Sequence, residues 1–195
     1  MGKQIITISR TYGSGGREIG RLVAQKLQVD FYDKNILSLL VEKTGISEEG
    51  LKNADERLIK RSLSPYGFTE ETDYGTNHYL YEAQVRLIGE LAQKGPCVIV
   101  GRLADWILRN REDVLNVFIT APGEARIQRI MGYEDVDEET ARELMIQVDR
   151  RRKSYYDYFT HQQWERMENR DLVINSSLLG IEETAGMISE IAKRA

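Results

Sequence analysis

The residues best suited to chemistry lie near the start of the chain, in the stretch ITISRTYGSGGREIG from Ile6 to Gly20. Gly13, Ser14, Gly15 and Gly16 join a β-branched run to a helical pattern, and Arg17 and Glu18 follow at once. Glycines placed between a strand and a helix N-terminus turn successive backbone N–H groups into one concavity. The helix dipole adds about half a positive charge there. Residues 13–18 are therefore a candidate cradle for phosphate, with an anion expected on the N–H groups of Ser14 to Arg17. A loop of the G-x-x-x-x-G-K-[ST] kind uses its lysine to reach the β- and γ-phosphates. This loop has no lysine, and Arg17 on the first helical turn is the cation that follows it. A tight strand-to-helix turn without a ligand is the plain alternative. A dinucleotide-binding G-x-G-x-x-G beginning at Gly13 and Gly15 would need glycine where Glu18 stands.

The elements around the loop set its context. A chain of 195 residues suits one domain over 1–195. Charged residues are 30% and the net charge is −4, so no basic field of the kind that coats nucleic acid is present. The lone Cys97, in the apolar run GPCVIVG, excludes a disulfide framework and a cysteine metal cluster. The N-terminal MGKQIITISR is too polar for a signal peptide, and no apolar run is long enough to span a membrane, so the expected setting is cytoplasmic, with no membrane partner. Strand patterns (QIITIS, CVIVG, LNVFIT, DLVIN) alternate with helical ones (REIGRLVAQKL, NILSLLVEKTG, His78 to Lys94, GEARIQRIMG, VDEETARELMIQVDRRRKSYYDYF and the C-terminal stretch). Such alternation predicts a parallel sheet of about five strands covered on both faces. The charged SEEGLKNADERLIKRSL reads as a helix opened by Ser47, and SLSPYGFTEETDYGTN as a loop.

With SRTYGSGGREIGRLVAQKL, FYDKNIL, VIVGRLADWIL, VFITAPGEARIQRIM, DRRRKSYYDYF and DLVINSSLLGIEETAGMI in view, the chain resembles the cytidylate kinase-like branch of the nucleoside monophosphate kinases nearly end to end. The resemblance implies a P-loop NTPase-like three-layer α/β/α sandwich, an acceptor-binding helical region over about 34–76 and a helical lid over about 137–164. It implies ATP with Mg²⁺ as donor and a nucleoside monophosphate such as CMP as acceptor. A nucleotide-binding regulatory protein of the same fold is the alternative. Ordinary members resemble G-P-S-G-A-G-K-G-T in the loop, which lays Gly16 on the lysine; members of this branch resemble the chain in having G-S-G-G-R.

By the same resemblance, D-G-R-D of ordinary members falls on Val100 to Leu103. Arg102 then contacts the acceptor phosphate, as a guanidinium with two parallel donors is suited to do; Val100 and Leu103 stand where the two aspartates would be, and Asp105 nearby is the carboxylate that could substitute at the substrate. Asp149 and Arg152 match the lid pattern D-x-x-R, and Arg126 and Arg129 match the helix leading into the lid. Arg17, Arg126 and Arg152 are thus the expected catalytic cations. The other basic residues of 150–153 read as a solvated face. Asp33 reads plainly as an N-cap, and by resemblance as an aspartate that assists transfer, with Lys34 beside it meeting the phosphate. His78 and His161 have no metal or triad pattern, and no protein metal site is expected. Tyr155, Tyr156, Tyr158, Phe159 and Trp164 either stack on a base or pack the lid onto the core.

Overall fold

β-Branched and aliphatic runs make the strands. The computed structural model describes residues 2–33, 35–45 and 72–195. In it, β1 (Ile5–Arg10) leads through the glycine loop into α1 (Gly16–Leu27), followed by β2 (Asp30–Tyr32) and α2 (Asn35–Thr44). After α3 (Thr72–Lys94) come β3 (Cys97–Val100), the single turn α4 (Ala104–Ile107), β4 (Val114–Thr120) and α5 (Gly123–Glu134). The chain closes with α6 (Glu138–Thr160), β5 (Leu172–Asn175) and α7 (Ser176–Arg194). The five strands are all parallel, in the order β2-β3-β1-β4-β5, as the alternating pattern predicts. β3 and β4 do not pair with each other; they flank β1, with Ile5 in register with Cys97 on one side and with Val114 on the other.

Successive side chains of a strand point to opposite faces, and here both faces are covered. Ile6 and Ile8 meet α1 and α7 through Ile19, Val23 and Ile188. Ile5 and Ile99 meet α2 and α3 through Ile36, Leu87 and Ile88. Each fully buried aliphatic side chain of this kind contributes about 1.5–3 kcal/mol. Cys97 belongs to the second core, and burial pushes its thiol up to about 11, so it is an apolar filler and not a nucleophile.

Helix ends follow their sequence signals. α2 stops at Gly45, whose φ is 69° and whose N–H donates to the Val41 carbonyl. α6 is capped by Asp137, which accepts from the Thr140 N–H at 2.8 Å. Tyr156 and Trp164 pack with Leu103 and Phe118, and Phe159 stacks on Tyr81 at 4.4 Å, so these aromatics hold α6 to the core. α3 starts at Thr72, inside the stretch read as a loop. The helix expected from Ser47, Lys34 and residues 46–71 of the expected acceptor region lie outside the described residues.

Candidate active site

Because the strands are parallel, the segments leaving β1, β3 and β4 emerge at one edge of the sheet, where open α/β folds place their ligands. The segment after β1 is the glycine loop. Gly13 and Gly15 have φ of 76° and 77°, and α1 begins with no side-chain cap. Ser14 donates its hydroxyl to the Thr11 carbonyl at 2.8 Å, and its own N–H makes only a long 3.4 Å bond to the same oxygen. Among the described residues, nothing accepts from the N–H groups of Gly15, Gly16, Arg17 and Glu18. These open donors, Gly15 to Glu18, stand at a helix N-terminus in the geometry that suits an anion; the expected set was Ser14 to Arg17, and the Ser14 N–H makes the long bond to Thr11.

The loop is held from outside. Tyr12 donates its N–H to Asp149 at 2.7 Å and accepts from Arg126 at its carbonyl at 2.6 Å, while Arg126 also pairs with Asp149. Arg129 reaches the Gly13 carbonyl at 3.3 Å, and the buried Ser176 hydroxyl donates to the Ser14 carbonyl at 2.6 Å. Arg126 and Asp149 are thus brought to the loop, where they brace its backbone. A methyl group added at Gly13 would sit 2.6 Å from the Arg126 carbonyl oxygen in a left-handed conformation. Gly13→Ala is therefore expected to cost about 1–3 kcal/mol of stability, seen as a lower urea midpoint with an unchanged slope.

Next to the loop stands a group of guanidinium side chains. Arg10 closes β1, and its carbonyl accepts from Arg152 at 2.9 Å. Asp33 pairs with Arg17 and lies 3.8 Å from the Arg10 guanidinium. Its carboxylate thus turns to the loop, and the expected N-cap role is not seen among the described residues. Burial, then the charge of Arg152, with Arg102 and Arg17 adding to it, pushes Arg10 down to about 9 in spite of Asp33. An arginine does not lose its proton in a protein, so Arg10 stays charged in a buried setting where Asp33 is the counter-charge and Arg152, Arg102 and Arg17 oppose it.

A cavity of about 200 Å³ opens beside this cluster, lined by Arg10, Arg102, Arg151, Arg152, Tyr155 and Trp164 among others. Arg102 and Leu103 both have φ near 57°, a conformation rare for residues with a side chain and held here by surrounding contacts. One such contact is the buried Gln84, whose amide donates to the Arg102 carbonyl at 2.9 Å. Asp105 also lines the cavity, but it pairs with the buried Arg170 and accepts from the Tyr156 hydroxyl at 2.9 Å. Of the expected residues, the structure gathers Arg17, Asp33, Arg102, Arg126, Asp149 and Arg152 around loop and cavity, and commits Asp105 to Arg170.

Sequence reasoning missed three residues. Arg10 sits in the quoted stretch itself, and its place as the last residue of a central strand was the available signal. Ser176 and Arg170 are distant in sequence, and no spacing rule points to either.

A family model for the cytidylate kinase-like family matches residues 5–178 of the chain. The chain is 32% identical over 192 residues to a cytidylate kinase of Staphylothermus marinus, with 97% of each covered. It is similar in structure to an uncharacterized protein of Eubacterium ventriosum at TM-score 0.73 and 23% identity, covering 98% of this chain and 99% of that one. A shikimate kinase of Bacteroides thetaiotaomicron is similar in fold at TM-score 0.53 and 17% identity, with 96% of both chains covered.

Proposed function

Since the chain belongs to the cytidylate kinase-like family, we propose that it transfers the γ-phosphoryl group of ATP to a nucleoside monophosphate, with CMP the first acceptor to try. The observation that carries this reading is the adjacency of two anion sites, the open N–H groups of Gly15 to Glu18 and the arginine-lined cavity, with Arg10 between them. The first would take the donor's phosphates, with Arg17 assisting; Gly13, Ser14 and Gly16 shape the turn. The second would take the acceptor's phosphate on Arg102. An oxygen of that phosphate attacks the γ-phosphorus as the bond to the β–γ bridging oxygen breaks, and ADP leaves. A phosphate is already ionised near neutral pH, so no general base is required. The work left to the protein is alignment and charge. Arg152 and Arg126 belong to the segment 137–164 and its leading helix, which act as the lid in this reading, and Asp33 orients Arg17 and Arg10.

Among the described residues there is no cluster of three metal-ligating side chains. Magnesium binds through few carboxylates plus substrate phosphates and water, so it would enter on the ATP phosphates, where it neutralises charge. No described helix is long and apolar enough to cross a membrane; a cytoplasmic setting and the absence of a nucleic-acid partner belong to the proposal.

The second reading, a nucleotide-binding regulatory protein, is favoured by the lysine-free loop and by the Asp33 carboxylate that neutralises Arg17. Measuring ATP consumption against a panel of nucleoside monophosphates and nucleosides separates the two. Turnover with one or more monophosphates supports the kinase, and ATP binding without turnover supports the regulator. In either case Arg17→Ala is expected to weaken ATP binding by about 1–3 kcal/mol, read by calorimetry; unchanged affinity would leave Arg17 a surface residue.

A further inference from the structure

We infer that Arg10 is the internal cation of the phosphate site, its stem occupying the space that a side chain at position 16 would enter and its guanidinium bridging the donor and acceptor sides; this inference rests on the kinase reading. The geometry is specific. A Cβ built on Gly16 would lie 2.6 Å from the Arg10 Cβ and 3.0 Å from its Cγ, so the Arg10 stem fills the space that a side chain at position 16 would enter. The guanidinium continues to the end of β3, where a Cβ on Gly101 would lie 2.1 Å from its Nη1. The side chain therefore runs from the open helix N-terminus of α1 to the mouth of the cavity that Arg102 and Arg152 line. Two glycines, Gly16 and Gly101, make room for it. Gly16 itself is not among the glycines with positive φ, so the obstacle to a lysine there is chiefly Arg10, then the Ile119 Cβ at 3.3 Å, and not the backbone conformation. Arg17 is less suited to the task, being 63% exposed and paired with Asp33.

The charge environment agrees with this role. Asp33 is the carboxylate that faces Arg10, at 3.8 Å, and it is shared with Arg17. Burial, and then the charges of Arg152, Arg102 and Arg17, disfavour the charge on Arg10, and Asp33 offsets them in part. Phosphate oxygens would add acceptors and negative charge to this group.

The test moves the charge from one position to the other. Arg10→Gln keeps most of the stem and removes the charge, and should weaken ATP and inorganic pyrophosphate binding about tenfold or more by calorimetry, as loss of a charge-assisted bond implies. Gly16→Lys alone should bind worse than wild type, because the new side chain collides with Arg10. Arg10→Gly combined with Gly16→Lys opens that space and relocates the cation, and should regain binding to within about threefold of wild type. Melting temperatures show whether each variant folds, and Arg10→Gln decides the matter if the double variant does not. Wild-type affinity in Arg10→Gln, or an ATP affinity in the folded double variant no better than in Arg10→Gln, overturns the inference. If the wild type transfers phosphate and Arg10→Gln does so equally well, the inference fails and the kinase reading stands. If the wild type binds ATP through Arg10 yet phosphorylates no monophosphate, the kinase reading fails and the inference stands.

Discussion

Asp105→Ala is expected to lower the melting temperature by about 10 °C, the largest stability effect of any single change considered. The Arg170 side chain is 1% exposed, its Nη1 pairs with Asp105, and its Nε and Nη2 have no hydrogen-bond partner. The faces of Tyr156 and Phe118 lie 5.2 and 5.7 Å from its guanidinium carbon, which eases its burial but does not replace a counter-charge. Removing one member of a buried pair leaves an uncompensated charge and costs about 3–5 kcal/mol; in a domain of this size each kcal/mol moves the midpoint by about 2–4 °C. Adding Arg170→Met should recover most of the loss, because replacing both charges with apolar groups is nearly neutral. Scanning calorimetry of the single and double variants checks this. If Asp105→Ala melts like wild type and only the KM for the acceptor rises, Asp105 is a substrate ligand that stands in for the family's aspartates.

Arg152→Ala is expected to lower kcat by about 10- to 1,000-fold, equivalent to about 1.4–4 kcal/mol of transition-state stabilisation. Arg152 lines the cavity and donates to the Arg10 carbonyl at 2.9 Å, with Asp149 at 3.8 Å. From α6 its guanidinium therefore reaches the end of β1, where a transferring phosphoryl group would lie between loop and cavity. On a mobile lid, as the sequence suggests, the residue would leave stability untouched. The bond to the Arg10 carbonyl instead implies a loss of about 1 kcal/mol, or about 2–4 °C. Steady-state kinetics at saturating substrates, beside a melting curve, separate the two quantities. Unchanged kcat would leave the arginine a structural brace on the end of β1 with no part in transfer.

The glycine loop, the parallel five-stranded sheet and the helix α6 were legible in the chain because each rests on a local rule: glycines at a strand-to-helix junction, β-branched runs alternating with period-3.6 patterns, and one long uninterrupted helical stretch from VDEETARELM onward. The arginines at 102, 126 and 152 were legible as charges of the right type, though spacing alone says nothing of what each one meets. Only the tertiary structure decided that. Arg126 and Asp149 come together against the Tyr12 backbone, and Asp105 turns to Arg170, because α5, α6 and the segment before β5 pack at the strand ends from positions far apart in sequence. The sequence by itself also shows that the loop has no lysine, but it does not show what occupies that place. Arg10 lies six residues before Gly16, outside any helical or strand-face relation to it. Their contact arises because α1 folds back across the end of β1, a consequence of burying Ile19 and Val23 on the sheet. Burial of an apolar helix face is a local pattern, and its consequence for which polar groups meet is set only when the whole chain packs.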